Sequence, residues 1–325
     1  MWLAFGSIVV GLALLVWSAD RFVEGAASIS RHLGVSTMII GITVIGFGTS
    51  APEILVSVIA VLEGTPDLAI GNALGSNIAN IGLILGVTAL IAPLPIAKIT
   101  FSREFPLLLF ATAVMGWCLY DGVLDTLDGF LLLTLLGLML WYLVRSHRLD
   151  EEANLDENGL NRDKQQDISF PASTGWLVLG LVILVGSSKL LVWGATEVAH
   201  GFGISELIIG LTIVALGTSL PELAASIVSV RKGEPDLAIG NIIGSNLFNS
   251  LAVIGIPATI TRFNIDSLAV TRDLPVVIAL TLLLYGLSSF PAAARSLSRL
   301  KGLWLLAGFV IYQLYLYYGV MTGTP

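Results

Sequence analysis

Charge is what this chain has least of. Only 12% of its 325 residues are Asp, Glu, Lys or Arg, against about 25% in soluble domains. Cysteine is scarcer still: Cys118 stands alone in an apolar stretch, so no intramolecular disulfide forms and the redox compartment is not legible. Histidine occurs three times. His32, His147 and His200 are expected in loops, far in depth from any polar centre, and serve neither a proton relay nor the base of a hydrolytic site. The chain is therefore not expected to be an enzyme. Basic residues number 16 against 23 acidic ones, a net charge of −7, which gives no hint of nucleic-acid binding. The acidic excess gathers between Asp150 and Asp167. There Asn154 to Gly159 looks like the first half of a calcium-binding EF-hand loop. Its twelfth position is Gln165 where a bidentate Glu is needed, so the segment reads as a solvated linker.

Apolar residues fill the space that charge leaves. They make up 55% of the chain, and the mean hydropathy is +0.90. Segments of spanning length, about 20 residues each, fall at 3–19, 36–62, 68–92, 104–120, 127–145, 174–196, 205–230, 237–258, 273–290 and 302–320. These predict an all-α membrane protein of ten transmembrane helices. The first segment lacks a basic leader and its flanks recur later, so it is expected to be a retained helix. With the N-terminus outside, the inner loops hold 13 of the 16 basic residues; Arg262 and Arg272 lie outside and Lys189 lies within a helix. Both termini are thus predicted outside. Residues 1–145 and 174–325 form two five-helix halves, joined by an acidic cytoplasmic linker, 146–173. Five is odd, so the second half enters the bilayer upside down, as in many secondary transporters.

The halves also repeat in sequence at an offset of 169 residues. Gly41-Ile-Thr43-Val-Ile-Gly46-Phe-Gly48-Thr49-Ser50-Ala-Pro52-Glu53 returns as Gly210-Leu-Thr212-Ile-Val-Ala-Leu-Gly217-Thr218-Ser219-Leu-Pro221-Glu222. Asp67-Leu-Ala-Ile-Gly71-Asn72-Ala-Leu-Gly75-Ser76-Asn77-Ile-Ala-Asn80 returns as Asp236-Leu-Ala-Ile-Gly240-Asn241-Ile-Ile-Gly244-Ser245-Asn246-Leu-Phe-Asn249. Of these 27 positions 17 are identical. A carboxylate in such apolar surroundings is costly and marks function.

Pro52 lacks an N–H, so the carbonyl of Gly48 loses its helical partner and must find another or line a polar cavity. Thr49, Ser50 and Glu53 share one helix face. One carboxylate, two hydroxyls and a released carbonyl form a hard-oxygen set suited to Ca²⁺ or a similar cation. Gly217, Thr218, Ser219, Pro221 and Glu222 rebuild that set from the opposite side. Asn72, Ser76 and Asn80 step at four-residue intervals, as do Asn241, Ser245 and Asn249. The glycines at 71 and 75, and at 240 and 244, allow close helix packing. The candidate ion ligands are Thr49, Ser50, Glu53, Ser76, Asn80, Thr218, Ser219, Glu222, Ser245 and Asn249, with the Gly48 and Gly217 carbonyls. Asn72, Asn77, Asn241 and Asn246 fit ligation and interhelical glue equally. Asp20 and Arg21 are expected at the cytoplasmic end of the first helix. Lys189, which matches Asp20, is expected to snorkel to the interface, with a gate partnership as the alternative.

At these blocks the chain resembles the cation/calcium exchanger superfamily, and within it the prokaryotic sodium/calcium exchangers, including inner-membrane proteins of Gram-negative bacteria. The resemblance covers nearly the whole chain. It implies that helices 2, 3, 7 and 8 enclose the ions and that helices 1 and 6 slide as a gating pair. It places the family's two central glutamates on Glu53 and Glu222, and its motif hydroxyls on Thr49, Ser50, Thr218 and Ser219. Its second layer falls on Ser76, Asn80, Ser245 and Asn249. Many relatives, K⁺-dependent ones included, carry Asp where this chain has Asn249. The long cytoplasmic regulatory region of animal exchangers is absent. The expected activity is Na⁺/Ca²⁺ antiport in a bacterial inner membrane, with no cofactor and no partner beyond lipid and the two ions. One chain holds both halves of the site, so it is expected to work as a monomer. K⁺-dependent or H⁺-coupled exchange of Ca²⁺ or another divalent cation is the nearest alternative, and a passive cation channel a further one.

Overall fold

The computed structural model describes residues 2–157, 168–202, 215–291 and 295–322. The helices are α1 (Trp2–Leu33), α2 (Thr37–Leu62), α3 (Pro66–Ile91), α4 (Lys98–Leu119), α5 (Thr126–Glu157), α6 (Phe170–Gly201), α8 (Pro235–Ile260), α9 (Ala269–Ser289) and α10 (Arg299–Thr322). Each of these nine is long and apolar enough to cross a membrane. Of the helix expected at 205–230, here α7, the described residues include Ala215–Thr218 and Leu220–Arg231. Gly210 and Thr212 of the second motif lie outside them. The protein is an all-α membrane protein of ten transmembrane helices in two inverted repeats.

Several ends differ from expectation. α1 continues to Leu33, so Asp20 and Arg21 lie along its length and not at its end. α5 runs on to Glu157. His32, His147 and His200 lie in helices, not loops. The added lengths of α1 and α5 carry charged residues such as Asp20, Arg21, Arg148 and Asp150, which a hydropathy reading assigns to span ends and loops.

The turns explain the repeated helix boundaries. Gly64 and Gly233 both adopt φ +78°, the left-handed geometry that ends a helix without a Cβ clash. Pro66 and Pro235 then occupy first-turn positions, where no N–H is needed. Asp67 and Asp236 follow in the positive first turn.

Packing obeys the same symmetry. The equivalent helices α1 and α6 run antiparallel against each other. A Cβ on Gly25 would lie 2.6 Å from the Leu177 nitrogen, and one on its equivalent Gly194 would lie 2.8 Å from the Ala4 carbonyl. Equivalent helices that pack head to tail require halves of opposite orientation. Two short strand pairs repeat the relation at the loops: β1 (Leu94–Pro95) pairs with β4 (Ser296–Leu297), and β2 (Val123–Leu124) with β3 (Phe263–Asn264). α8 is buried along its length and crosses α2 backbone to backbone, Gly240 against Gly41 and Gly244 against Gly46. Large apolar side chains such as Trp2, Trp117, Tyr120 and Trp304 face outward, as a lipid-facing surface requires.

Candidate functional site

α2 carries Thr49, Ser50 and Glu53 into the centre, where Glu53 is 1% exposed and both hydroxyl residues are fully buried. α7 brings Ser219 and Glu222, also buried, with Gly217 at its edge. α3 supplies Ser76, Asn77 and Asn80, and α8 supplies Asn241, Ser245, Asn246 and Asn249, all buried. Thr218 is half-buried.

Side-chain hydrogen bonds tie the repeats directly at the centre. The Thr49 hydroxyl sits 3.1 Å from the Ile45 carbonyl, 3.2 Å from Asn241 Oδ1 and 3.3 Å from Ser245 Oγ. Asn77 Nδ2 donates to Ser250 Oγ across α3 and α8 at 3.0 Å. Local geometry favours such a centre. Asn80 lies within a π-helical stretch, Ala79–Leu85, and Asn249 opens another, Asn249–Val253. These wider turns frequently accompany functional sites because they loosen the i→i−4 ladder.

The asparagines divide into two kinds. Asn72 Nδ2 donates to the Glu53 carbonyl and Ser57 Oγ, both at 3.1 Å. Asn241 Nδ2 donates to the Glu222 carbonyl at 3.3 Å and Ser226 Oγ at 3.0 Å. These two therefore brace the glutamate-bearing helices against their neighbours. Asn80 and Asn249 differ: both polar atoms of the Asn80 amide, and Asn249 Oδ1, are buried without a partner.

That list extends through the centre. Ser50 Oγ, both Glu53 oxygens, Glu222 Oε2, Asn77 Oδ1 and Asn246 Oδ1 are likewise buried and unpartnered. Among the described residues twelve side-chain atoms have this status, and nine of them belong to the repeated blocks. Leaving a buried polar group unpaired costs about 1–3 kcal/mol, and more for a charge. Outside these blocks only Glu104 Oε2, Ser288 Oγ and Arg295 Nε share that status among the described residues, so the open polar atoms, eight of them oxygens, concentrate in the repeated blocks. Carboxylate, hydroxyl and amide oxygens are the donors that hard cations take.

Serines missed by the sequence reading complete the frame. Ser57 and Ser226 are repeat equivalents four residues beyond the glutamates, a signal the offset carried. Ser188 of α6 donates to the Gly217 carbonyl at 2.8 Å. That is the carbonyl Pro221 releases, so its partner here is a hydroxyl; α7 is interrupted at Ser219, whereas α2 runs unbroken through Pro52. Away from the centre, Glu104 is fully buried and meets His147 Nε2 at 2.7 Å. Its equivalent Asp273 instead receives Arg272 at 2.6 Å and the Tyr312 hydroxyl at 2.8 Å.

Residues 3–145 and 172–318 match the family described as sodium/calcium exchanger protein. CaxA of Alkalimonas amylolytica is 48% identical over 314 residues, covering 95% of this chain and 97% of that one. The inner membrane protein YrbG of Escherichia coli is 43% identical over 322 residues, 98% of each chain. The sodium/calcium exchanger MaX1 of Methanosarcina acetivorans is 29% identical, covering 96% and 97%. The solved structure of the sodium-calcium exchanger NCX_Mj without Na⁺ and Ca²⁺ superposes with a TM-score of 0.82 at 31% identity, covering 95% and 97%.

Proposed function

Because this chain belongs to the sodium/calcium exchanger protein family, a family of cation/Ca²⁺ antiporters, we propose that it exchanges Na⁺ for Ca²⁺ by alternating access at the buried centre. The observation that carries the reading is the concentration of unpartnered buried polar atoms on both repeats around Glu53 and Glu222. Two ionised carboxylates contribute two negative charges, which one Ca²⁺ neutralises. The empty site holds an uncompensated buried pair, a large barrier to crossing unloaded, and that barrier separates exchange from leak. Thr49, Ser50, Ser76, Asn80, Thr218, Ser219, Ser245 and Asn249 are assigned to the ion site beside the glutamates. Gly48 is assigned through its carbonyl. Gly217 contributes only where Ser188 yields its bond.

The remaining assignments share this basis. The halves are residues 1–145 and 174–325, with both termini on the periplasmic side of a bacterial inner membrane, following the asymmetry of basic residues. A single chain supplies both glutamates, which supports a monomeric unit. With three Na⁺ per Ca²⁺, each turnover moves one net charge, worth about 2.3 kcal/mol per 100 mV.

Coupling is tested by radioactive Ca²⁺ uptake into proteoliposomes loaded with Na⁺ and diluted into Na⁺-free, K⁺-free buffer. Uptake that requires internal Na⁺ is the expected result. Uptake indifferent to Na⁺ but driven by a pH or K⁺ gradient overturns the Na⁺ assignment.

A further inference from the structure

Among the charged side chains outside the centre, one contact has a mirror image. Lys232 closes α7 and places Nζ 2.9 Å from Asp20 Oδ1 of α1, with Glu24 Oε2 of the same helix at 3.7 Å. Arg31 of α1 lies 3.6 Å from Glu234 in the same turn. These pairs fasten α1 to the α7–α8 turn at one end of the molecule.

The 169-residue offset carries Asp20 onto Lys189 of α6, and Lys232 onto Glu63 of the α2–α3 turn. Both charges reverse sign together, so complementarity survives. The backbone is matched as well: Glu63 and Lys232 cap their helices at φ −85°, ψ 0° and φ −81°, ψ 0°, each followed by a glycine at φ +78°. The other contacts of the cluster have no such echo, since Arg21, Glu24 and Glu234 map onto Leu190, Trp193 and Thr65. Lys189 and Glu63 are both exposed, and among the described residues neither forms an ion pair.

Alternating access rocks one inverted repeat against the other around a fixed site; when the two halves trade arrangements in that motion, residues equivalent to a touching pair come to touch. We infer that Asp20–Lys232 and Lys189–Glu63 are two positioning pairs of the transport cycle, one closed in each of its two conformations, which set the balance between inward and outward access. The inference rests on the exchanger reading above. Half-exposed ion pairs are weak, which suits residues that bias a near-balanced equilibrium without locking it. Loss of one pair shifts the ratio of conformations about 2- to 5-fold.

The half-saturating Ca²⁺ concentration at each membrane face reads that ratio, because apparent affinity scales with the fraction of protein open to that face. Lys232→Gln is expected to weaken apparent affinity at the face open in the present structure and strengthen it at the other. Lys189→Gln is expected to do the reverse, and the charge-exchanged variant Asp20→Lys with Lys232→Asp to restore the original ratio. Shifts of the same sign for both single variants, or no shift, overturn the inference while leaving transport at the centre intact. Absence of saturable Ca²⁺ transport in the unaltered protein overturns the exchanger reading instead. A second measurement is independent of Ca²⁺. On a Cys118→Ser background, a short bifunctional thiol reagent is expected to link Glu63→Cys to Lys189→Cys poorly, and better once Lys232→Gln is added. No gain in that yield overturns the inference whatever the transport result.

Discussion

At the scale of the residue, satisfaction separates scaffold from site. Half-buried Asn72 and fully buried Asn80 both lie on α3, two turns apart, and the sequence spacing treats them alike. Asn72 braces the Glu53 carbonyl and Ser57, so Asn72→Ala should cost about 1–2 kcal/mol of stability. It should leave Ca²⁺ affinity nearly unchanged. Asn80 has no protein partner for its amide. Asn80→Ala should therefore leave the ion-free protein as stable or more so, and weaken Ca²⁺ binding about tenfold or more. Thermal unfolding in detergent with and without Ca²⁺ checks both. A lower unfolding temperature for ion-free Asn80→Ala would place that residue with the braces. The sequence left Asn72 and Asn241 open between ligation and packing because spacing reports a shared helix face and not the partner across it. Ser188 was illegible for a related reason: its equivalent is Ala19, so the repeat carried no signal.

At the scale of the element, the crossing of α2 and α8 brings the site's halves within hydrogen-bond reach. Thr49 reaches Asn241 and Ser245 only because Gly240 and Gly244 let the two backbones touch. A Cβ at Gly240 would lie 2.6 Å from the Met38 carbonyl, closer than side chains tolerate. Gly240→Val should therefore abolish the folded protein or destabilise it by about 3 kcal/mol or more. Gly137 of α5 has open space around its Cβ direction, and Gly137→Ala should be neutral or stabilising by up to about 1 kcal/mol. Yield of monodisperse protein after detergent extraction checks the contrast; equal tolerance of both would mean the crossing is loose. Helix number, the α2–α3 and α7–α8 turns and the Gly240–Gly244 face were legible in the sequence, since hydropathy, Gly and Pro report backbone needs locally. The matching face expected at Gly71 and Gly75 does not pack, for both are exposed with open space around the Cβ direction. The charged ends of the long helices were not legible. The polar ends of α1 and α5 read as loops, which hid the burial of His147 against Glu104.

At the scale of the whole molecule, inversion sets one sequence motif twice around a single buried centre. Neither half closes the centre alone: Glu53 comes from α2, Glu222 from α7, and the cross-repeat bond from Thr49 to Asn241 joins them. The inverted architecture was legible from an odd helix count and a doubled motif. The antiparallel α1–α6 pair, close-packed through Gly25 and Gly194, lies against this core and is tied to it at the Lys232 end.

The most direct test is equilibrium binding and uptake of radioactive Ca²⁺ by Glu53→Gln and Glu222→Gln, each purified as a folded, monodisperse protein. The two substitutions remove carboxylates from opposite halves of the chain. The predicted result is that each alone abolishes saturable Ca²⁺ binding and Na⁺-dependent uptake. Retention of near-normal binding by either variant would contradict a single site built jointly by both repeats.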